Sequence, residues 1–413
     1  MSSHSEITPE IQSLANLAAG LMSLMCVRIR TVCAQRNIDR VAFLTREGVV
    51  FKAFYDGFSA AAGGFPKSEL LEVSRLSTFP PSLWEEGVDG FARFYSQYAE
   101  ADLEGTMKSM GAWPPPENIA LLINRAMSAG GKRIDIIELA KANPELQRWI
   151  LQLSGTRRAE FGAYVERAHP WLVNASRALL VDIGWRGTIQ DNLARIQSQT
   201  HWHGIYIGLF PYLNPQPGNT SKEGLLFGAP DENAPPKAHN VFPVEYLFHV
   251  DQGSVTGYSN GSVVFATHVA DTGTAYARQF QDALVASAGR CGEAFLAADA
   301  QEQDRLTNSW LQDAKEFWTR TQIMTPDLFN SLRQFHHEET FGVGQVIQID
   351  RLLSLPAMVR SIYSRTDRNL FIQHSSSIPL HVRKQVRLGW WLRLWFVLQS
   401  FVRGIRRLAR ARK

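Results

Sequence analysis

Residues 178–210 read ALLVDIGWRGTIQDNLARIQSQTHWHGIYIGLF, and no other stretch restricts the fold as tightly. An apolar run from Ala178 to Val181 meets the acid Asp182 and then a turn with two glycines. Helical spacing follows over Thr188 to Ser198, and a second apolar run, HGIYIGLF, fills 203–210. Two strands separated by one helix cannot form a tight hairpin. They run parallel, with the helix as the crossover. The expected fold is α/β, a Rossmann-like parallel sheet.

The rest of the chain supplies partners for that sheet. Ile11, Leu14, Leu17, Leu21 and Leu24 recur at helical spacing within 8–36. Arg40 to Leu44 reads as a short buried strand, VVFKAFYDGF after it as a helix, and Leu70 to Val73 as another strand. From about Pro81 to Arg177 the text turns helical, punctuated by PPPE and glycines, which predicts a helical insertion over 81–177. The core is then 1–80 with 178–350. Residues 212–240 read as loop, 245–267 as a turn and hairpin, and 273–299 and 301–323 as helices. Residues 351–380 read as a linker or helical extension.

Three of the strands end in a polar loop that carries an arginine: Thr45-Arg46-Glu47-Gly48, Ser74-Arg75 and the loop from Asp182 to Thr188. In a parallel sheet such loops share one edge, where ligands bind. Three guanidiniums at that edge suit a phosphorylated ligand, because the planar fork grips phosphate oxygens in pairs. Gly184 and Gly187 let the backbone approach an anion, and a helix starting near Thr188 aims its N–H groups at it. Gln190 is expected to point back toward the loop. Asp182 suits a metal ion or a developing sugar cation. It also suits a helix cap, and Arg75 a surface ion pair.

Composition narrows the class. The chain is 45% hydrophobic and 20% charged, within the range of soluble globular proteins. Cys26, Cys33 and Cys291 form no CxxC pair, which favours a reducing compartment. The N-terminus lacks the pattern of a signal peptide, and no apolar run is read as reaching bilayer length. Ten of the 43 Lys and Arg lie in residues 381–413, which hold no acid, leaving 33 against 39 acids elsewhere. On a helix Trp391, Leu394, Trp395, Leu398, Val402 and Ile405 share one face of that tail, and Arg393, Arg403, Arg407 and Arg410 the other. The expectation is a basic amphipathic helix over 381–413 lying on an anionic membrane surface; a core-docked helix is the alternative. The acidic body argues against nucleic acid as a partner. FHHEE at 335–339 lacks metal-ligand spacing and reads as a solvated helix end.

FLTREG at 43–48, Ser74-Arg75, the DIGW-x-G-T-x-Q loop from Asp182 to Gln190, and Glu245 followed by Gly253-Ser254-Val255-Thr256-Gly257-Tyr258 resemble the glycan phosphoribosyltransferases of bacterial polysaccharide assembly. The likeness covers roughly residues 10–350 in order and spacing. It implies a phosphoribosyl diphosphate donor, a lipid-linked glycan acceptor and Mg²⁺. In this family the domain is usually fused to a phosphatase of the haloacid dehalogenase type. No Asp-x-Asp motif opens this chain, so either a separate phosphatase acts or the product keeps its phosphate. Asp182, Glu47 and Glu245 are the candidate catalytic carboxylates, with Asp182 as metal ligand. Thr45, Arg46, Gly48, Ser74, Arg75, Gly184, Trp185, Arg186, Gly187, Thr188, Gln190, His249, Gly253 and Ser254 are the candidate substrate-binding residues. The expected location is the cytoplasmic face of the membrane. A non-catalytic scaffold of the same fold, or a transferase with another phosphorylated donor, is the alternative.

Overall fold

Side chains alternate across a strand, so a strand buried on both faces needs apolar residues at odd and even positions alike. In the computed structural model Val41 and Phe43 of β1 (Arg40–Leu44) face one apolar layer, and Ala42 and Leu44 the other. Leu179, Val181 and Ile183 of β3 (Arg177–Trp185) divide from Ala178 and Leu180 in the same way. The structure describes residues 7–97, 103–111, 114–130, 136–228, 241–266, 274–334, 336–338 and 346–348.

The order along the chain begins with α1 (Pro9–Arg36), β1, α2 (Gly48–Ala62), β2 (Lys67–Leu71) and α3 (Arg75–Ser82). A run of helices follows: α4 (Phe91–Gln97), α5 (Leu103–Ser109), α6 (Glu117–Gly130), α7 (Ile136–Ala142), α8 (Pro144–Ala168) and α9 (Pro170–Val173). Then come β3, α10 (Thr188–Ile196), β4 (His201–Leu209), β5 (Thr220–Phe227) and α11 (Phe242–Phe248). The hairpin β6 (Val255–Ser259) and β7 (Ser262–Phe265) leads to α12 (Ala275–Ala297), α13 (Ala300–Ile323) and α14 (Pro326–Gln334). A short pair, β8 (His336–Glu338) and β9 (Val346–Gln348), closes the described chain.

The sheet order is β2-β1-β3-β4-β5, all parallel. The chain moves outward from β1 to β2, then returns to place β3 on the other side of β1. The topological switch point therefore lies between β1 and β3, where ligands bind in doubly wound sheets. Helices α1, α2, α11, α12 and α13 cover one face of the sheet, while α8, α10 and the β6–β7 hairpin cover the other. The helices between β2 and β3 also gather around an apolar core of their own, which includes Phe79, Phe91, Phe94, Met107, Ile123 and Ile150.

Several expectations need correction. The strand at 178–181 continues to Trp185, and β5 lies where loop was expected. Glu245 stands on α11 and not in a turn. His336 and His337 belong to β8, so FHHEE is no helix end. The Pro9–Arg36 helix does reach membrane-spanning length, with mean hydropathy 1.5 over its most apolar window; 61% of that window is buried. In the fold this helix packs on α12 and α13. The basic tail at 381–413 and the linker before it lie outside the described residues.

Candidate functional site

A cavity of about 220 Å³ opens at the switch point. The loop after β1 supplies Thr45, Arg46 and Glu47; the segment after β2 supplies Val73, Ser74 and Arg75. The end of β3 and the start of α10 supply residues from Asp182 to Ile189. Glu245 enters from α11, and Ser254 and Val255 from the start of the hairpin. The three arginine loops thus meet in one place. Each of β1, β2 and β3 feeds directly into a helix, so the N-termini of α2, α3 and α10 all end on the cavity wall. Helix N-termini carry partial positive charge and unpaired N–H groups, which favour anions.

Each loop is held by its own local chemistry. The Thr45 hydroxyl donates to the Val73 carbonyl at 3.0 Å, tying the first loop to the second. Ser74 is the N-cap of α3, accepting from Ser77 N at 3.2 Å in a capping box, and its hydroxyl donates to the Val255 carbonyl. That leaves Arg75 as the first residue of α3, on the wall. In the third loop a Cβ on Gly184 (φ +131°) would come within 2.2 Å of the Gly208 carbonyl oxygen, so only glycine lets β3 and β4 stay paired there. Gly187 caps α10 with φ +64°, a left-handed conformation that favours glycine. Two non-proline cis peptides, Thr45–Arg46 and Gly184–Trp185, lie on the wall.

The carboxylates form the electrostatic centre. Asp182 takes the next inward place after Leu180 on β3 and is 7% exposed. Its Oδ1 accepts from the Ile183 N–H at 2.8 Å and makes no cap on α10. Burial and the charge of Glu47 push its pKa up to about 8; Glu245 adds to the rise, while the Ile183 N–H and Arg75 oppose it. Glu245 accepts from Trp185 Nε1 at 2.8 Å. The residue keeps some exposed surface, but protein crowds its carboxyl. That burial raises its pKa against the pull of Trp185, Arg75 and Arg46. The Trp185 ring packs against Phe210, Phe227 and Trp318, so the indole that holds Glu245 is itself braced. Arg186 Nη1 donates to the Pro211 carbonyl at 2.8 Å.

Four expected site residues fall away from the cavity. Gln190 is buried and donates to the carbonyls of Trp202 and Ser221, joining α10 to β4 and β5. His249 is buried at the end of α11, and Gly253 packs against the Ala266 carbonyl. Gly48 serves close packing, since a Cβ there would lie 3.0 Å from the Phe43 carbonyl carbon. Among the wall residues outside the candidate set, Gln97 is the polar one: at the end of α4, it donates to Thr188 Oγ1 at 3.1 Å. It lies in the helical insertion, far from any strand end, and no local pattern marks it.

Fold and cavity together define a doubly wound α/β protein with a site of mixed charge at its switch point. Compared with known proteins, the chain matches no family model and no curated protein.

Proposed function

We propose that this protein is a glycosyltransferase that moves a 5-phosphoribosyl group from phosphoribosyl diphosphate to a hydroxyl of a glycan acceptor. One observation carries the reading: Arg46, Arg75, Arg186 and three helix N-termini meet Asp182, Glu47 and Glu245 in a single cavity at the switch point. Phosphates suit the cationic part. A sugar whose anomeric carbon becomes electron-poor suits the carboxylates.

In the proposed reaction the bond from the anomeric carbon to the diphosphate oxygen breaks, and its electron pair leaves with diphosphate. The acceptor oxygen forms the new bond to that carbon, and its proton passes to a carboxylate. Guanidiniums and backbone N–H groups stabilise the departing charge. Burial and Glu47, which push its pKa up to about 8, favour the protonated form of Asp182 in the free protein. Positive charge in the cavity would release that proton and make the carboxylate available. Glu245, fixed by Trp185, is a second candidate to receive the acceptor proton.

Among the described residues no group of three or more His, Cys, Asp or Glu side chains is placed to hold a metal ion. A Mg²⁺ carried by a diphosphate keeps several waters and asks for only one or two carboxylates. The repulsion between Asp182 and Glu47 is what such a cation relieves, so these two residues would hold it. When bound, Mg²⁺ would neutralise charge on the leaving diphosphate.

The reading places the protein at the cytoplasmic face of the membrane, where a lipid-linked acceptor is found and where the acid-free tail at 381–413 suits an anionic surface. The product carries a 5-phosphate, which either stays on the glycan or is removed by a phosphatase.

The test is mass spectrometry of a lipid-linked acceptor incubated with protein, donor and Mg²⁺, looking for an added pentose phosphate. In parallel, donor at 100 times its Kd should stabilise the fold by about 2.7 kcal/mol. No thermal shift at millimolar donor would favour the non-catalytic scaffold, and a shift with another phosphorylated sugar alone would reassign the donor.

A further inference from the structure

Lys222 stands on β5, does not line the cavity, and has no part in the chemistry above. Its side chain is 1% exposed. The ammonium gives its three protons to three acceptors: Asp191 Oδ1 at 2.5 Å, Gln216 Oε1 at 2.6 Å and the Arg186 backbone carbonyl at 3.2 Å. The Tyr212 ring lies 4.8 Å from it. Burying a lysine is costly unless it is fully paired.

The bond to Arg186 fixes a peptide orientation. The Arg186–Gly187 peptide is trans. In a planar trans peptide the carbonyl and the following N–H point to opposite sides. Holding the Arg186 carbonyl toward β5 therefore turns the Gly187 N–H away from β5. Gly187 and Thr188 line the cavity, while Lys222, Asp191 and Gln216 do not. A glycine accepts either sign of φ at little cost. Loss of the Lys222 bond removes a restraint on this peptide; turned over, the peptide would point the Arg186 carbonyl oxygen into the cavity, where it would repel an anion.

We propose that Lys222 is a positioning residue: it holds the Arg186 carbonyl so that the Gly187 N–H faces the cavity as a hydrogen-bond donor to the diphosphate of the donor. This rests on the reading of the cavity as a diphosphate site.

The probe is inorganic diphosphate with Mg²⁺, followed by titration calorimetry and by the ¹H–¹⁵N signal of Gly187. K222M alone leaves the Asp191 carboxylate buried without its partner and endangers the fold, so the main variant is D191N/K222M, which removes both charges. Q216L is the control: it takes away another acceptor of the same ammonium and leaves Arg186 untouched. Wild type and Q216L should bind diphosphate alike, with a downfield Gly187 shift. D191N/K222M, shown folded by its melting curve, should bind about ten- to a hundredfold more weakly, the loss of one hydrogen bond to a charged group, with little Gly187 shift. Equal binding by D191N/K222M overturns the proposal. So does a wild-type Gly187 signal that stays in place while diphosphate binds, an outcome that needs no variant to fold. A wild type that binds no diphosphate overturns the donor reading, and this proposal with it.

Discussion

Replacing Asp182 with Asn should make the protein more stable, by an amount that grows as pH rises from about 4 to about 8. The ordinary pKa of 3.8 is pushed up to about 8, by burial first and by Glu47 next. Each pKa unit corresponds to about 1.4 kcal/mol, so ionising Asp182 in the folded state costs at most about 5 to 6 kcal/mol. Relaxation and water entry in real interiors reduce this, and about 2 to 3 kcal/mol is the expected effect. The sign follows from linkage: a folded pKa above the unfolded one gives stability that is fully present below the unfolded value and is lost as pH rises through the folded one. For Asp182 the loss runs from about pH 4 to about pH 8 and is then complete. Asn keeps an oxygen to accept from the Ile183 N–H and carries no charge. The two proteins should therefore melt alike near the acid end. Above about pH 8 the D182N variant should melt about 2 to 3 °C higher, at roughly 1 °C per kcal/mol for a chain of this length. Scanning calorimetry across that range at constant ionic strength reads the difference directly. A gap that does not change with pH would refute the reasoning, as would a wild type that is the more stable protein in alkali. E47Q removes the charge that contributes most after burial, so it should lower the upper end of the window and leave the acid end, set by the unfolded chain, in place.

The same D182N variant should transfer sugar about 10²-fold or more slowly, the loss expected for an electrostatic stabiliser, and near wild-type turnover would end its catalytic assignment. W185F deletes the bond that holds down the pKa of Glu245, so if Glu245 is the base, the rising limb of the pH–rate profile should move to higher pH; an unmoved limb would exclude Glu245 from that role. G184A puts a Cβ against the Gly208 carbonyl at a left-handed φ and should cost about 2 kcal/mol or more in urea unfolding. Deleting 381–413 removes ten positive charges, and the truncated protein should stay folded while losing salt-sensitive flotation with anionic liposomes. Unchanged flotation would overturn the anchor reading, and early melting would place the tail in the core.

The fold was legible where two signals agreed. Apolar runs at Arg40–Leu44 and at 178–181, each followed by helical spacing, are what a parallel sheet requires, and the strands they belong to, β1 and β3, lie at its centre. β5 was missed because it is an edge strand. Thr220, Ser221, Lys222 and Glu223 are polar, their burial is partial, and the prolines before them advertise loop. Their real pattern is set by neighbours: Ser221 meets His203 on β4, Lys222 meets Asp191 on α10, and Glu223 meets Arg28 on α1. Pairings between residues that distant leave no local periodicity. The long helix α1 was legible as a helix, but its membrane-length hydropathy was not read.

The site divides along the same line. Residues at strand ends were found because a parallel sheet sends every strand end to one edge, and Arg46, Arg75, Arg186, Glu47 and Asp182 all reached the cavity. Residues whose assignment depended on the direction of a side chain were not. Gln190 is only two residues past Thr188, yet in the first turn of α10 that displacement turns it from the cavity to the strands. The glycines had a second reason as well: Gly184 answers to the Gly208 carbonyl, and Gly187 to a left-handed φ. The first constraint comes from a strand that the local sequence does not contain. The crowding of an acid, two glycines, a tryptophan and an arginine into one loop then has a physical answer. Asp182 closes the inward face of β3, Gly184 clears β4, Trp185 fixes Glu245, and Gly187 turns the chain into α10. Each of these is a packing requirement, and together they leave one carboxylate, one guanidinium and one helix N-terminus on the same wall. A loop built only to turn the chain would not need to bury an acid beside Glu47. That the fold keeps Asp182 buried beside Glu47, with its pKa raised by burial and by that charge, is a physical argument for the cavity as a functional site.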